Sequence, residues 1–180
     1  MPTNNADLRS AELIKRLHGI DYPSVAEIGV YDGEMSRRLL YRVNLHLLMV
    51  DTWGSVPVPD DAFYEAWEDH DWAKVQASAI GNVSWAADRV RIFQGTSDEA
   101  LDEFPDDKFD CVFIDASHDY ESVSNDLDSW WERVAEGGWL GGHDYGRKEF
   151  GVTQAVDEFC EANGLDLEVG ENFTYWIKKC

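Results

Sequence analysis

At 180 residues the chain fits one domain, residues 1–180, long enough to bury about two-thirds of its unfolded surface around a single core. Its 44% hydrophobic content and 8 Trp predict a packed globule, while 36 acidic against 15 basic residues give a formal net charge of −21, which repels nucleic-acid phosphates and anionic lipid surfaces. That acidity reads as surface solvation, for instance in high salt, and no apolar run approaches the ~20 residues that span a bilayer, so a cytoplasmic protein with neither nucleic-acid nor membrane partners is expected.

Leu8, Ala11, Ile14 and Leu17 recur at helical spacing over residues 7 to 19 and stop at Gly19. Ser24 to Gly29 reads as a first strand that breaks at glycine, and Met35, Leu39, Leu40 and Val43 give the following helix an apolar face. Leu45 to Val50 is a second strand, closed by Asp51. Residues 53–88 are the least regular stretch, with Pro57, Pro59, Trp53, Trp67, Trp72 and Trp85 among acidic segments. One or two helices are expected there as an insertion or lid, its tryptophans serving internal packing or the wall of a ligand site.

Val90 to Phe93 is a third strand, followed by Gly95-Thr96-Ser97 and a short helix to Phe104. Phe109 to Ile114 is a continuous apolar run, as buried parallel strands are, and it ends in Asp115. Tyr120, Val123, Leu127, Trp130 and Val134 alternate spacings of three and four and predict a helix over residues 119–135, stopped by Gly137-Gly138. Trp139 to Gly142 is a fifth strand leading into His143-Asp144-Tyr145. Val152, Ala155, Val156 and Phe159 mark a last helix capped at Asn163-Gly164, before two terminal strands over 165–169 and 173–178. Cys111, Cys160 and Cys180 fit neither a disulfide framework nor a zinc spacing and read as free thiols.

Strands alternating with helices predict an α/β fold, a doubly wound, mostly parallel sheet of about seven strands, the last antiparallel, with helices on both faces. Ligand loops in such a sheet gather at the carboxyl ends of the strands, where Asp51, Ser97, Asp115 and Asp144 all fall. A strand ending Glu27-x-Gly29-x-x-x-Gly33 before a helix lets backbone approach a ligand closely, with the helix amino end facing a ligand carboxylate. The dinucleotide fingerprint needs further glycines where this chain has Tyr31 and Glu34, which argues against NAD or FAD. Asp51 is either a bidentate acceptor of the kind two ribose hydroxyls need or a strand-terminal turn residue. Gly95-Thr96-Ser97-Asp98 supplies a hydroxyl and a carboxylate where an adenine amino group would sit, or else simply caps a helix.

The chain resembles the class I S-adenosylmethionine-dependent methyltransferases, and specifically a small family related to catechol-type O-methyltransferases. The segments that carry the resemblance are Glu27 to Gly33, Val50-Asp51-Thr52-Trp53-Gly54, Gly95-Thr96-Ser97, Phe113-Ile114-Asp115-Ala116-Ser117-His118-Asp119-Tyr120, Gly137-Gly138, Gly141-Gly142-His143-Asp144-Tyr145 and Gly151-Val152-x-x-Ala155-Val156-x-x-Phe159. They run in the family's order over roughly residues 24 to 178, and their joint order is specific. The resemblance implies a Rossmann-like fold that binds S-adenosylmethionine. It implies that Glu27, Gly29, Val30, Tyr31 and Gly33 hold the methionine part, with Ser36 on its carboxylate, although Ser36 stands one residue later than the family's serine. It places Asp51, with Thr52, at the ribose and Thr96, Ser97 and Asp98 at the adenine, with Asp115 bordering the cofactor.

Methyl transfer from a sulfonium is an in-line displacement that needs a positioned, preferably deprotonated, nucleophile. In catechol-type relatives the acids after the fourth and fifth strands bind a divalent cation and a lysine three residues past the first acid is the base; Asp115 and Asp144 match those acids and His118 occupies the base position. An imidazole near pKa ~6.5 accepts a proton at neutral pH, so Asp115 and His118 are the candidate catalytic residues; alternatively His118 caps the next helix. Tyr145 stands where those relatives place a ligating Asn, and His143 supplies a substitute, so the candidate metal set is Asp115, His143 and Asp144, holding Mg²⁺ or Mn²⁺. His18, His46 and His70 lack partner spacing and read as structural or exposed.

The expected activity is methylation of a small-molecule hydroxyl acceptor, a sugar or a phenol, with homodimerisation as one mode of assembly. The competing reading is a non-catalytic cofactor-binding or assembly protein on the same fold. An amino-methyltransferase of nucleic acid or protein would need an Asn/Asp-Pro-Pro-aromatic motif after the fourth strand, which the chain lacks.

Overall fold

Alternate residues of three neighbouring strands face two different hydrophobic cores: Val25, Leu47, Met49, Cys111 and Phe113 one, and Ala26, Ile28, Leu48, Val50, Val112 and Ile114 the other. This period-two division is what a sheet covered on both faces requires. In a computed structural model, which describes residues 5–54 and 70–180, the elements follow as α1 (Asn5–Arg16), β1 (Ser24–Ile28), α2 (Glu34–Arg42), β2 (His46–Asp51), α3 (Trp72–Val83), a 3₁₀ helix (Ser84–Arg89) and β3 (Val90–Gln94). The second half gives α4 (Ser97–Glu103), β4 (Phe109–Ile114), α5 (Tyr120–Trp131), β5 (Val134–Gly142), α6 (Val152–Asn163), β6 (Leu167–Val169) and β7 (Tyr175–Lys178). Leu13 and Leu17, Leu39 and Leu40, and Ala79 and Val83 bring α1, α2 and α3 to the first core; Ala100, Leu127 and Val156 bring α4, α5 and α6 to the second. None of the helices among the described residues is long and apolar enough to cross a membrane.

The strand order is β3-β2-β1-β4-β5-β7-β6, parallel from β3 to β5 and antiparallel at β5–β7 and β7–β6. The chain runs outward from β1 in one direction, then resumes at β4 and runs outward in the other. β1 and β4 are therefore neighbours whose following loops diverge, and the crevice at their carboxyl ends is where a doubly wound sheet receives a ligand. The expected α/β architecture is the one observed.

The largest boundary difference from the sequence reading lies between α5 and β5. The helix expected over 119–135 ends at Trp131, and the strand expected to begin at Trp139 begins at Val134. Val134 is buried whether it continues a helical stripe or starts a strand, so its apolarity could not separate the two. Gly137, at φ +78, then lies inside the strand rather than at a helix end, and the β4 partner shifts from Phe109↔Val134 to Cys111↔Trp139 across the irregularity. Of the expected insertion at 53–88, residues 72–88 fall within α3 and the 3₁₀ helix, while Pro57, Pro59 and Trp67 lie outside the described residues.

Candidate active site

The loop after β1 is built by backbone donors that converge on one carboxylate. Val30 and Tyr31 donate their N–H groups to Asp51 Oδ2, both at 2.8 Å, and Trp53 N–H reaches Oδ1 at 2.7 Å. The Trp53 indole closes the circuit by donating to the Tyr31 carbonyl at 2.8 Å. Gly29 sits at φ +86, and a Cβ there would stand 2.1 Å from the Asp115 carbonyl oxygen. Its freedom is thus spent on the close approach of β1 to the end of β4 as well as on the left-handed turn.

Between this loop, α1 and Asp115 lies a cavity of about 210 Å³ whose walls include Arg9, Glu27, Gly29, Val30, Tyr31 and Asp115. Glu27, at the floor, is almost fully buried, and burial pushes its carboxyl up to about 8, against the Ser36 hydrogen bond and the charge of Arg9. Ser36, expected at the cofactor carboxylate, is fully buried under the loop and donates its hydroxyl to Glu27, so it supports the floor and does not line the cavity. Gly33 takes its left-handed place as the residue before α2. Thr52 turns its hydroxyl to the Gly54 carbonyl at 3.2 Å.

One strand further out, Thr96 forms a capping box with Glu99 at the start of α4, accepting from Glu99 N–H at 3.2 Å. The Ser97 hydroxyl donates to Asp126 and accepts the Trp130 indole N–H at 2.6 Å, which ties α4 to α5. Both side-chain hydroxyls are therefore engaged within the fold, and Asp98 remains the exposed carboxylate of the trio. Burial pushes the Asp126 carboxyl up to about 6, against the pull of that hydroxyl.

The chemical end is held by side chains. Asp144, at φ +65, aims its carboxylate between two imidazoles: His118 Nε2 and His143 Nδ1 each stand 3.0 Å from Oδ2. Arg147 Nε lies 2.9 Å from Oδ1. Burial would raise the Asp144 carboxyl, but the hydrogen bonds and charges of His118 and His143 outweigh it and hold the group well below the usual carboxylate range. Asp115 forms an ion pair with Arg9 and lies 3.6 Å from His143 Nδ1; burial raises its carboxyl, opposed by Arg9. Asp115 borders both this cavity and the narrower cleft around His118 and Asp144.

His118 is fixed twice over. Its carbonyl accepts the Gly151 N–H at 2.8 Å, and its ring stacks on Phe150 with centroids 4.4 Å apart. Gly151 has to be glycine, because a Cβ would meet the Tyr120 backbone nitrogen at 2.3 Å. The cap of α5 is Asp119, which accepts from Ser122 N–H at 2.9 Å, so His118 does not serve as the cap. His143 Nε2 faces the Asn172 amide nitrogen at 3.3 Å. Accepting there, His143 carries its proton on Nδ1 and donates towards the carboxylates. Tyr145 turns away from the site and donates to Asp157 at 2.8 Å.

Ligand atoms of Asp115, His118 and Asp144 all lie within 4.8 Å of one another, a spacing that suits one cation. The trio expected from sequence had His143 in the place of His118; His143 Nδ1 stands 3.0 Å from Asp144 and 3.6 Å from Asp115, beside the same two carboxylates. Sequence reading missed Arg9, Trp53 as a loop clamp, Phe150, Arg147 and Asn172. Phe150, next to Gly151, carried a faint local signal; Arg9 and Asn172 carried none, being ordinary polar residues far along the chain from their partners.

The fold has counterparts among solved structures. A Clostridium thermocellum protein described as an rRNA methylase superposes with a TM-score of 0.68 at 15% identity, covering 100% of both chains. CalS11, a TDP-rhamnose 3'-O-methyltransferase of calicheamicin biosynthesis, gives 0.62 at 14% identity, over 95% of this chain and 77% of its own. A Bacillus cereus O-methyltransferase in complex with S-adenosylhomocysteine gives 0.62 at 17% identity, over 99% and 82%. At these identities the likeness is one of fold, and among curated proteins none matches the sequence. Residues 26–145, more than half of the chain, match the family model described as a methyltransferase domain, and the chain belongs to that family, the class I S-adenosylmethionine-dependent methyltransferases.

Proposed function

We propose that the protein methylates the hydroxyl of a small acceptor, a sugar or a phenol, and that His118 removes the proton. The observation that carries this reading is the 3.0 Å pair between His118 Nε2 and Asp144, set in a cleft that shares Asp115 with the cofactor cavity. When bound, S-adenosylmethionine supplies an electrophilic methyl on a sulfonium. Asp144 accepts the Nε2–H, which puts the imidazole lone pair on Nδ1 to take the acceptor's proton, and the carboxylate stabilises the imidazolium that forms. Phe150 fixes the ring plane. Asp51 retains about one of a carboxylate's four lone-pair sites after its three backbone donors, which suits one ribose hydroxyl.

Asp115 and Asp144, with an imidazole nitrogen, would hold Mg²⁺ or Mn²⁺, and such an ion lowers the pKa of the acceptor hydroxyl. Because His118 belongs to that cluster, cation and base roles compete for it. A rate unchanged by chelation assigns His118 to proton removal alone.

The net charge of −21 favours a small acceptor over rRNA, whose phosphates it would repel. The test is methylation of a panel of sugars and phenols by the wild type and by His118→Ala. Methylated oxygen and a variant slowed about 10²- to 10⁴-fold are expected. Transfer to nitrogen, or a variant at the wild-type rate, would overturn the proposal.

A further inference from the structure

We infer that Arg9, on α1, takes the carboxylate at the methionine end of S-adenosylmethionine, leaving Asp115 to do so. The inference rests on the cofactor cavity described above and concerns which residue reads its amino-acid end. That end is a zwitterion, so its wall has to supply a cation as well as an acid. The cavity is lined by Glu27, Asp32, Glu34 and Asp115, and among the described residues Arg9 is its one cation.

The other candidates for the carboxylate are taken. Ser36 is buried and points its hydroxyl at Glu27. The amino end of α2 carries Glu34 in its first turn, already paired with Arg37 at 2.7 Å and Arg38 at 2.6 Å, so the positive end of the helix dipole faces a carboxylate of its own. Arg9, in contrast, has a fork of five donors that suits a carboxylate in two-point contact. It pairs with Asp115 through Nη1, while its buried Nε has no hydrogen-bond partner among the described residues. A ligand carboxylate beside it completes that fork. The Asp115 carboxylate, released at the same wall, becomes an acceptor for the ligand ammonium, so one ion pair is exchanged for two.

The test compares S-adenosylhomocysteine with methylthioadenosine, which keeps the adenosine and the sulfur but lacks the amino-acid end. Titration calorimetry on the full chain is expected to show Arg9→Gln weakening S-adenosylhomocysteine about 10- to 100-fold, with methylthioadenosine changed less than about 3-fold. Arg9→Lys, which keeps the charge and loses the fork, is expected between the two. Retained methylthioadenosine binding reports that each variant is folded. S-adenosylhomocysteine bound by Arg9→Gln as by the wild type would overturn the inference, and so would an equal loss of both ligands. Failure of the wild type to bind either ligand would instead remove the cofactor reading, and the role of Arg9 with it.

Discussion

The loop after β1 and the cluster after β4 and β5 border on each other through Asp115, yet they are stabilised in different ways. In the loop, one carboxylate accepts from three backbone N–H groups and a glycine is forced by a 2.1 Å approach, so the geometry is set by main chain. In the cluster, Asp144 is held by two imidazoles and a guanidinium, so the geometry is set by side chains. The two also respond to protons with opposite sign. Glu27, under the loop, has its carboxyl raised, whereas Asp144 has its carboxyl lowered. The division sets a loop fixed by main chain beside a cluster fixed by side chains.

The sharpest way to break the comparison is His118→Ala. Methylation is expected to fall about 10²- to 10⁴-fold, while S-adenosylhomocysteine affinity, read by calorimetry, stays within about 3-fold of the wild type. A loss of both would mean that the two regions are one unit. Gly29→Ala attacks the other side: a Cβ against the Asp115 carbonyl at positive φ should cost about 3 kcal/mol or more in chemical denaturation and abolish cofactor binding. A smaller effect is expected from Asp51→Ala. It orphans the Val30, Tyr31 and Trp53 donors and should weaken cofactor binding about 10-fold or more, which would have to be absent for the loop to be held by other means.

The smallest effect is the most diagnostic of sign. Because Glu27 has its carboxyl raised from 4.5 to about 8, the folded chain keeps a proton that the unfolded chain has lost between those values, and stability falls as pH rises through that window. Glu27→Gln, which preserves an acceptor for Ser36, should melt a few degrees above the wild type near pH ~8.5 and lose that advantage near pH ~4.5. Asp144 runs the other way: its contribution is present above the unfolded carboxyl value and is lost as pH falls into the acid range. A Glu27→Gln melting curve parallel to the wild type across pH would leave the proposed contrast without support.

The architecture was legible because it is written in local periods. Asp51, Asp115 and Asp144 each follow an apolar run, and their positions at strand ends needed no tertiary information. Val134 was misread because a buried valine satisfies both the helix that precedes it and the strand that it opens. The hydroxyls of Ser36 and Ser97 carry no local mark of their partners, and the fold pairs them with Glu27 and Asp126. Arg9 meets Asp115 across 106 positions, and a cation on an amphipathic helix carries no local mark of the carboxylate that it will face.

β7 lies between β5 and β6 and gives Tyr175 and Ile177 to one core and Trp176 to the other, all three fully buried. Each core includes part of residues 175–178, and β6 pairs with β7. A change that loosens the packing of Tyr175, Trp176 or Ile177 is therefore felt on both faces of the sheet at once, and β7 acts as the latch between them.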